Sequence, residues 1–575
     1  MTNTTACPLD CFDACYIKYD TKIKASSKGF TQNYLCPHLN HYENFKTIEK
    51  PRLNGKVISY EKMYETLFQM LKTTTNSSTL LYKGSGNFAL MQGLLEHFFA
   101  SYGAVLTEGS LCDGAGEAGI IEGRGSNKNM PYSEIEKSDI VILWGRDPHI
   151  TSTHLLPLLK TKKIIVINPI KIESAYNADL FIQLKPHGDL DFALLLCRFL
   201  IINGSIDESY LEKYAPNYEE FYELTQSIRI KSTLEKIDVS LGQIGDFIKL
   251  VANKKVAIVT GVGVQKYSDG ADILRAIDSV GVFLGLFGKE GCGVSYLGNS
   301  KEAIPSPFLT KSKKVSKVNT MFSMFQTLFI QGANPLAQMP DTQRVLRSIE
   351  KTQNIIYFGL YENETSAKAH LVIPAKTFLY KNDIRTSYAH NLMLEMPQQK
   401  ENQIGISEYT LAQKLSEHFN TPLESEKYYI DYFKNYAEKQ DDETLVVKER
   451  ETTPYKNGFD TEDGEFYFLE EYDNDFEMES DFFLLTPKSK KSLNSQFKRK
   501  EFAYVHSSLG YKENQLVTLT SKNGSIKIKV KHNDNLRKDS ILIYSGTPKV
   551  NILTSSRHSY EGKCAIFQQN KIKIS

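Results

Sequence analysis

Half of the chain's 8 cysteines fall within its first 36 residues, as Cys7, Cys11, Cys15 and Cys36. Core packing does not ask for such crowding of one residue type. Four thiolates that converge can hold a metal centre, because soft sulfur donors suit iron–sulfur clusters and zinc. Three cysteines at intervals of four share a turn or one helical face, and the fourth arrives from a distance, just before Pro37. A compact run plus one remote ligand fits the ligation of a cubane cluster. Structural zinc more often uses C-x-x-C pairs, and the chain has none. The spacing is therefore read first as a [4Fe–4S] cluster on Cys7, Cys11, Cys15 and Cys36, with zinc and disulfides as the other readings.

A second set of candidate residues sits at the ends of apolar runs. DIVILWG (139–145), KIIVINP (163–169), LFIQLKPHGD (180–189), VAIVTGVG (256–263) and TLFIQGANP (327–335) each end in Gly, Pro, Asn or Asp. In open α/β sheets, ligands bind beyond the carboxyl ends of the strands. Small residues there let backbone approach a ligand, helix-start amides favour phosphate, and Asn or Asp can bond a purine edge or ribose. The corners are Gly145-Arg146-Asp147, Asn168-Pro169, Gly188-Asp189, Gly261 with Gly263, and Gly332 with Asn334. One such corner is ordinary turn chemistry. Five, spread over two sheets, suggest a large dinucleotide-type ligand.

The elements that must position these corners follow from patterning. ISYEKMYETLFQMLKT (58–73) has the three-and-four spacing of an amphipathic helix. Unbroken apolar strands, among them TLLYKGSG (79–86), NIIYFGLY (354–361) and HLVIPA (370–375), alternate with helices, which predicts parallel sheets buried on both faces. Residues 421–480 are acidic and tyrosine-rich and read as a solvated connecting segment. LVTLTSKNGSIKIKV (516–530) reads as a hairpin around Asn-Gly, suited to a small β-barrel.

Bulk properties exclude some partners. The 575 residues carry 69 Lys+Arg against 68 Asp+Glu, a formal net charge of +1, so nothing draws the whole molecule to nucleic acid or an anionic membrane. No apolar run reaches the ~18 residues needed to span a bilayer. Residues 1–15 lack a basic start with an apolar run and carry no twin arginine, which leads to an expected cytoplasmic location.

Together these segments resemble the molybdopterin oxidoreductase superfamily, which includes dimethyl sulfoxide reductase and formate dehydrogenases. The resemblance rests on the amino-terminal cysteines with L-C-P, SLCDGAGEAG (110–119), DIVILWGRDP (139–148), VINP, KPHGD, GVGVQ (261–265), LFGKEGCGV (286–294), QGANP, ENETSAKAHLVIPA (362–375) and N-I-L-T (551–554), in that order. It implies an α/β, multi-domain architecture. The parts would be a [4Fe–4S] segment over 1–50, a discontinuous α/β domain over 51–108 and 300–420, an α/β cofactor domain over 109–299, the connecting segment over 421–480, and a C-terminal β-barrel over 481–575. The implied cofactor is bis-molybdopterin guanine dinucleotide with molybdenum or tungsten, acting on a small-molecule substrate and passing electrons through the cluster to a redox partner protein or subunit. Glu364, Thr365 and Asn551 join the corners as implied cofactor contacts. The protein ligand to the metal falls on Cys112, a soft donor that suits such a metal.

Two positions depart from the pattern. Formate-oxidising members have histidine after the metal-binding residue, where this chain has Asp113, either an acid–base group or a turn cap. Members usually have lysine two residues after the fourth cysteine, where this chain has His38, expected to contact the pterin. A formate dehydrogenase-like enzyme, a non-catalytic iron–sulfur subunit with a degenerate pterin site, and a non-redox hydratase remain the alternative readings. Cys197 is expected in a helical core, Cys292 in a glycine turn near the pterin, and Cys564 as a structural residue of the barrel.

Overall fold

The computed structural model describes residues 3–31, 33–86, 89–401, 404–472 and 481–575. Two parallel sheets form its centre. In one, the strands Leu180–Ile182, Lys163–Ile167, Ile140–Trp144, Val256–Thr260 and Gly293–Ser295 lie side by side in that order. Every residue of Ile140–Trp144 and Val256–Thr260 is buried, as expected for strands covered by helices on both faces. Trp144 pairs with Ile167 on one side and Thr260 on the other. Their carboxyl ends, and the corners after them, therefore finish at one level.

The second sheet draws on two stretches far apart in sequence. Thr79–Lys83, Thr327–Gln331, Asn354–Gly359 and Leu371–Pro374 run parallel, and Arg52–Leu53 with Lys56–Val57 form an antiparallel edge. The expected amphipathic helix is present as Tyr60–Lys72, with Ser59 capping it by accepting from the Lys62 amide.

At the amino terminus, Asn3–Ala6, Tyr16–Tyr19 and Ile23–Ala25 make a small antiparallel sheet. At the other end, Phe482–Leu485, Ser540–Leu542, Phe502–Val505, Ser525–His532, Leu516–Thr520 and Lys571–Ile574 close into a barrel. The expected hairpin is there, with Thr520 opposite Ser525. Ile526, Ile528 and Val530 alternate inward with exposed lysines between them.

The acidic stretch is not a solvated tether over its described part. Tyr455, Phe459, Phe466, Phe468 and Leu469 are buried in the core around the first sheet. Phe468 stacks on Phe221 with centroids 4.6 Å apart, and Phe459 packs on Phe287 at 5.4 Å. Aromatic rings spaced along an acidic sequence supply enough apolar area to dock it. The rest of that expectation, residues 473–480, lies outside the described residues.

Among the described residues, no helix is long and apolar enough to cross a membrane.

Candidate active site

Cys112 sits in the loop between strand Leu106–Glu108 and helix Gly114–Arg124. Ser110 organises that loop. Its Oγ accepts from the Cys112 and Asp113 amides at 2.8 and 3.1 Å and donates to Asp113 Oδ1 at 2.7 Å. Asp113 occupies the helix N-cap position without a side-chain cap bond, so its carboxylate serves the loop through Ser110. From the other side, Gln265 Nε2 donates to Cys112 O at 2.8 Å, and Lys266 Nζ to Leu111 O at 2.5 Å.

The carboxyl-terminal tail clasps this loop. Ser110 bridges to Cys564, and the Ala565 amide donates to Ser110 O at 3.0 Å. Gly562 has φ +70°, and a Cβ there would lie 1.9 Å from Gly114 O, so only glycine allows the approach. Cys564 is thus fully buried beside the Cys112 loop rather than in a barrel strand.

The loop opens onto a cavity of ≈ 640 Å³. Its wall includes Cys112, Asp113, Gly145, Arg146, Asp147, Asn168, Pro169, Asp189, Gly261, Gly263, Gly332 and Asn551, together with His38. The carboxyl ends of both sheets and the barrel loops therefore meet around the Cys112 loop. Several wall features ask for a ligand. Nothing lies within 4 Å of where a Gly263 Cβ would stand. Arg146 Nε and Gln568 Oε1 are buried on the wall without a protein partner. Burial pushes Cys112 up to about 12, helped by Asp113, so the thiolate needs a positive partner, which a metal would provide.

Four expected corner residues are not on that wall. Asn334 is buried behind it, donating to Glu364 Oε2 at 2.8 Å and accepting from Thr365 Oγ1 at 2.8 Å. Glu364 is tied in turn to Arg499 at 2.8 Å. Gly188 precedes helix Asp189–Ile202 and packs against Ile237. These residues brace the corners; their polar groups are spent on one another. Cys292 is also misplaced by the sequence reading. It precedes Gly293, which pairs with Ala257 at the amino end of the first sheet, away from the cavity. Cys197 is buried in helix Asp189–Ile202, as expected.

Other wall residues gave no sequence signal. Lys317 has its pKa brought down to about 8, by burial first and then by the Lys83 ammonium, and Lys83 itself pairs with Glu96 at 2.5 Å. Asp10, Tyr388 and Lys488 complete the surroundings of Cys112. Only the fold brings these separate stretches together.

Cys7, Cys11, Cys15 and Cys36 line a second, smaller cavity. None is in a disulfide. Among the described residues, the only Cys/His/Asp/Glu group with ligand atoms all within 4.8 Å is Asp13, Cys15 and His154. No three of the four sulfurs are that close, whereas a tetrahedral zinc would bring them to about 3.8 Å. Burial raises Cys7 to about 12 and raises Cys11, Cys15 and Cys36 as well; the Asp13 carboxylate adds to all four, and neighbouring thiols add at Cys7, Cys11 and Cys15. Amides of Leu9 and Leu39 point at the Cys7 and Cys36 sulfurs, each at 3.5 Å. His154, missed in the sequence, stands 3.3 Å from Cys15 Sγ and 3.0 Å from Asp13 Oδ2, and Tyr132 donates to Asp13 at 2.9 Å.

The two cavities share a wall of Cys11, His38, Ile150, Thr151 and Leu493. His38 Nε2 lies 3.2 Å from both Ser489 O and Ser492 O, so that nitrogen carries the proton and Nδ1 is the acceptor. Burial lowers its pKa. Arg146 spreads its guanidinium over the Phe12 ring at 4.6 Å, joining the cysteine segment to the first sheet.

The chain was compared with known proteins. The family model described as molybdopterin oxidoreductase matches residues 54–400, and that of the molybdopterin dinucleotide-binding domain matches residues 482–569. The probable oxidoreductase YyaE of Bacillus subtilis is 27% identical over 425 residues, covering 66% of this chain and 63% of the relative. The F420-dependent formate dehydrogenase subunit alpha of Methanocaldococcus jannaschii is 20% identical over 390 residues, covering 58% of this chain and 56% of the relative. This chain thus spans less than two thirds of the length of each of these two relatives. Among solved structures, acetylene hydratase from Pelobacter acetylenicus superposes with a TM-score of 0.77 at 14% identity, covering 99% of both chains. That likeness is one of fold.

Proposed function

The chain belongs to the molybdopterin oxidoreductase family, and we propose that it is a molybdenum or tungsten bis-molybdopterin guanine dinucleotide enzyme for two-electron oxidation or reduction of a small substrate, wired through a [4Fe–4S] cluster. The observation that carries the reading is the placement of Cys112 where both sheets' carboxyl ends and the barrel loops converge on one cavity.

Cys112 would supply the metal's protein ligand. Gly145, Arg146, Asp147, Asn168, Pro169, Asp189, Gly261, Gly263, Gly332 and Asn551 would hold the pterin dinucleotides, with Lys317 and Lys488 offering charge to their phosphates. Glu364, Thr365, Asn334 and Gly188 would act from behind the wall, keeping the corners in place. Once bound, the cofactor supplies two-electron chemistry at its metal. The protein orients that group, holds the Cys112 loop in place through the tail clasp on Ser110, and offers the Asp113 carboxylate one residue away as a proton holder. Cys7, Cys11, Cys15 and Cys36 would hold the cluster, since all four line one small cavity with the compact-run-plus-remote-ligand spacing of a cubane site. Cys11 and His38 would then separate the two centres by a single layer of side chains. Eight unpaired cysteines fit a reducing, cytoplasmic setting, where a redox partner would meet the cluster.

Anaerobic purification with metal and pterin analysis tests this reading, followed by dye-linked assays with N-oxides, sulfoxides, formate and oxyanions. Molybdenum or tungsten with pterin, and turnover of one class, is expected. Iron without either metal would identify the non-catalytic electron-transfer subunit. Formate-dependent dye reduction would identify a formate dehydrogenase despite Asp113.

A further inference from the structure

The stretch Lys488–Lys500, KSKKSLNSQFKRK, holds six Lys/Arg and no Asp or Glu. Of its lysines, only Lys488, on the cavity wall, has a role in the function above. The rest forms a small hairpin, Ser492–Leu493 against Gln496–Phe497, turned at Asn494 with φ 51°. It is fixed directly onto the cysteine segment. Leu493 is buried in the same apolar cluster as Cys7 and Cys15 and lines their cavity. Phe497 packs on Phe45 with centroids 4.5 Å apart. His38, two residues after Cys36, meets the carbonyls of Ser489 and Ser492. Lys490 and Lys491, which lie between those carbonyls, are thus held at the edge of the cysteine site, and both are exposed.

Stability does not call for this charge. Ser492 pairs with Phe497, so the register carries Lys491 and Lys498 to adjacent positions just beyond, and like charges there are unfavourable. Both are exposed, and among the described residues neither has a carboxylate at ion-pair distance. Lys490 and Arg499 are only partly offset, by Glu173 at 2.6 Å and Glu364 at 2.8 Å. The whole chain carries a formal charge of only +1, so the cationic surface is local and sits beside half-exposed Cys36.

We propose that the Lys490–Lys491–Lys498 surface docks a small acidic one-electron carrier protein of the iron–sulfur class, bringing it against Cys36. The proposal rests on the cluster reading given above. Each encounter moves one electron between carrier and cluster. Substrate oxidation yields two electrons and reduces two carriers; substrate reduction runs the same balance in reverse. Complementary charge raises encounter rates and specificity more than it adds contact energy.

The test measures binding of an acidic plant-type [2Fe–2S] ferredoxin to full-length protein and to the triple variant Lys490→Glu, Lys491→Glu, Lys498→Glu. The wild type is expected to lose about tenfold in affinity between low salt and about 0.3 M salt, and the variant to start at least about tenfold weaker with little salt dependence. Viologen-linked electron transfer and the cluster's EPR signal should be unchanged, which shows the variant is folded. Equal affinities for wild type and variant would overturn the proposal, as would tighter salt-dependent binding of a short DNA duplex than of the ferredoxin. Iron content of the same preparation judges the cluster reading separately, because the binding comparison decides the docking surface either way.

Discussion

Arg385 lies fully buried beneath the amino-terminal cysteines, and its guanidinium donates to the main-chain carbonyl oxygens of Cys7 and, at 3.1 Å, Cys11. A fixed positive charge there favours the more negative, reduced form of whatever the sulfurs hold. Arg385→Met should therefore lower the cluster's midpoint potential by tens of millivolts, and Arg385→Lys should restore part of it. EPR-monitored redox titration reads the shift. An unchanged potential in a folded Arg385→Met protein would make the arginine a purely structural strut.

Asp189 gives a pH prediction. Burial pushes its pKa up to about 6 from 3.8, despite the bond from Trp144 Nε1 at 2.7 Å. The native state thus holds a proton that the unfolded chain has released between those values. Its contribution to stability is present below the unfolded pKa and is lost as pH rises through about 6. Asp189→Asn keeps an acceptor for Trp144 and removes the charge. Cofactor-free variant should gain about 1–3 kcal/mol at pH 8 and nothing near pH 4 by denaturant unfolding. A gain independent of pH would contradict the assignment.

The tail clasp predicts a stability effect far from any strand. Gly562→Ala places a Cβ against Gly114 O in a left-handed backbone position, which should cost about 1–3 kcal/mol or more. Thermal unfolding measures the loss, and turnover should fall with it because the Cys112 loop is displaced. Gly464→Ala is the control. It has a similar φ of +81° but open space around it, so its cost should be the smaller.

Arg124 and Asp278 form an ion pair exposed by only 1% and 0%, under the rings of Phe287 and Tyr455 at 4.6 and 5.7 Å. Asp278→Ala leaves a buried charge unpaired and should cost about 3–5 kcal/mol. Denaturant midpoints would show it, and the double variant Arg124→Met, Asp278→Leu should recover much of the loss.

The sequence disclosed what short-range pattern can carry. Apolar runs at 140–144, 163–167, 256–260, 327–331 and 354–359 are strands because nearly every side chain in them is buried. Their terminal Gly, Asn and Asp marked the cavity rim. Partners set by long-range packing were not legible. Ser110 meeting Cys564, Lys317 reaching the wall, and the Lys490 hairpin seated on His38 join residues hundreds of positions apart. Asn334 and Glu364 looked like ligand contacts because polar corner residues read alike whether they face a ligand or each other. The aromatic anchors of the acidic segment were hidden by the charge around them.

The most direct test of the account is X-ray absorption at the molybdenum or tungsten edge of anaerobically purified wild type and Cys112→Ser. The account predicts a sulfur-rich metal site in the wild type that loses one sulfur neighbour and gains an oxygen in the variant. Identical spectra, or wild-type protein without either metal, would contradict it.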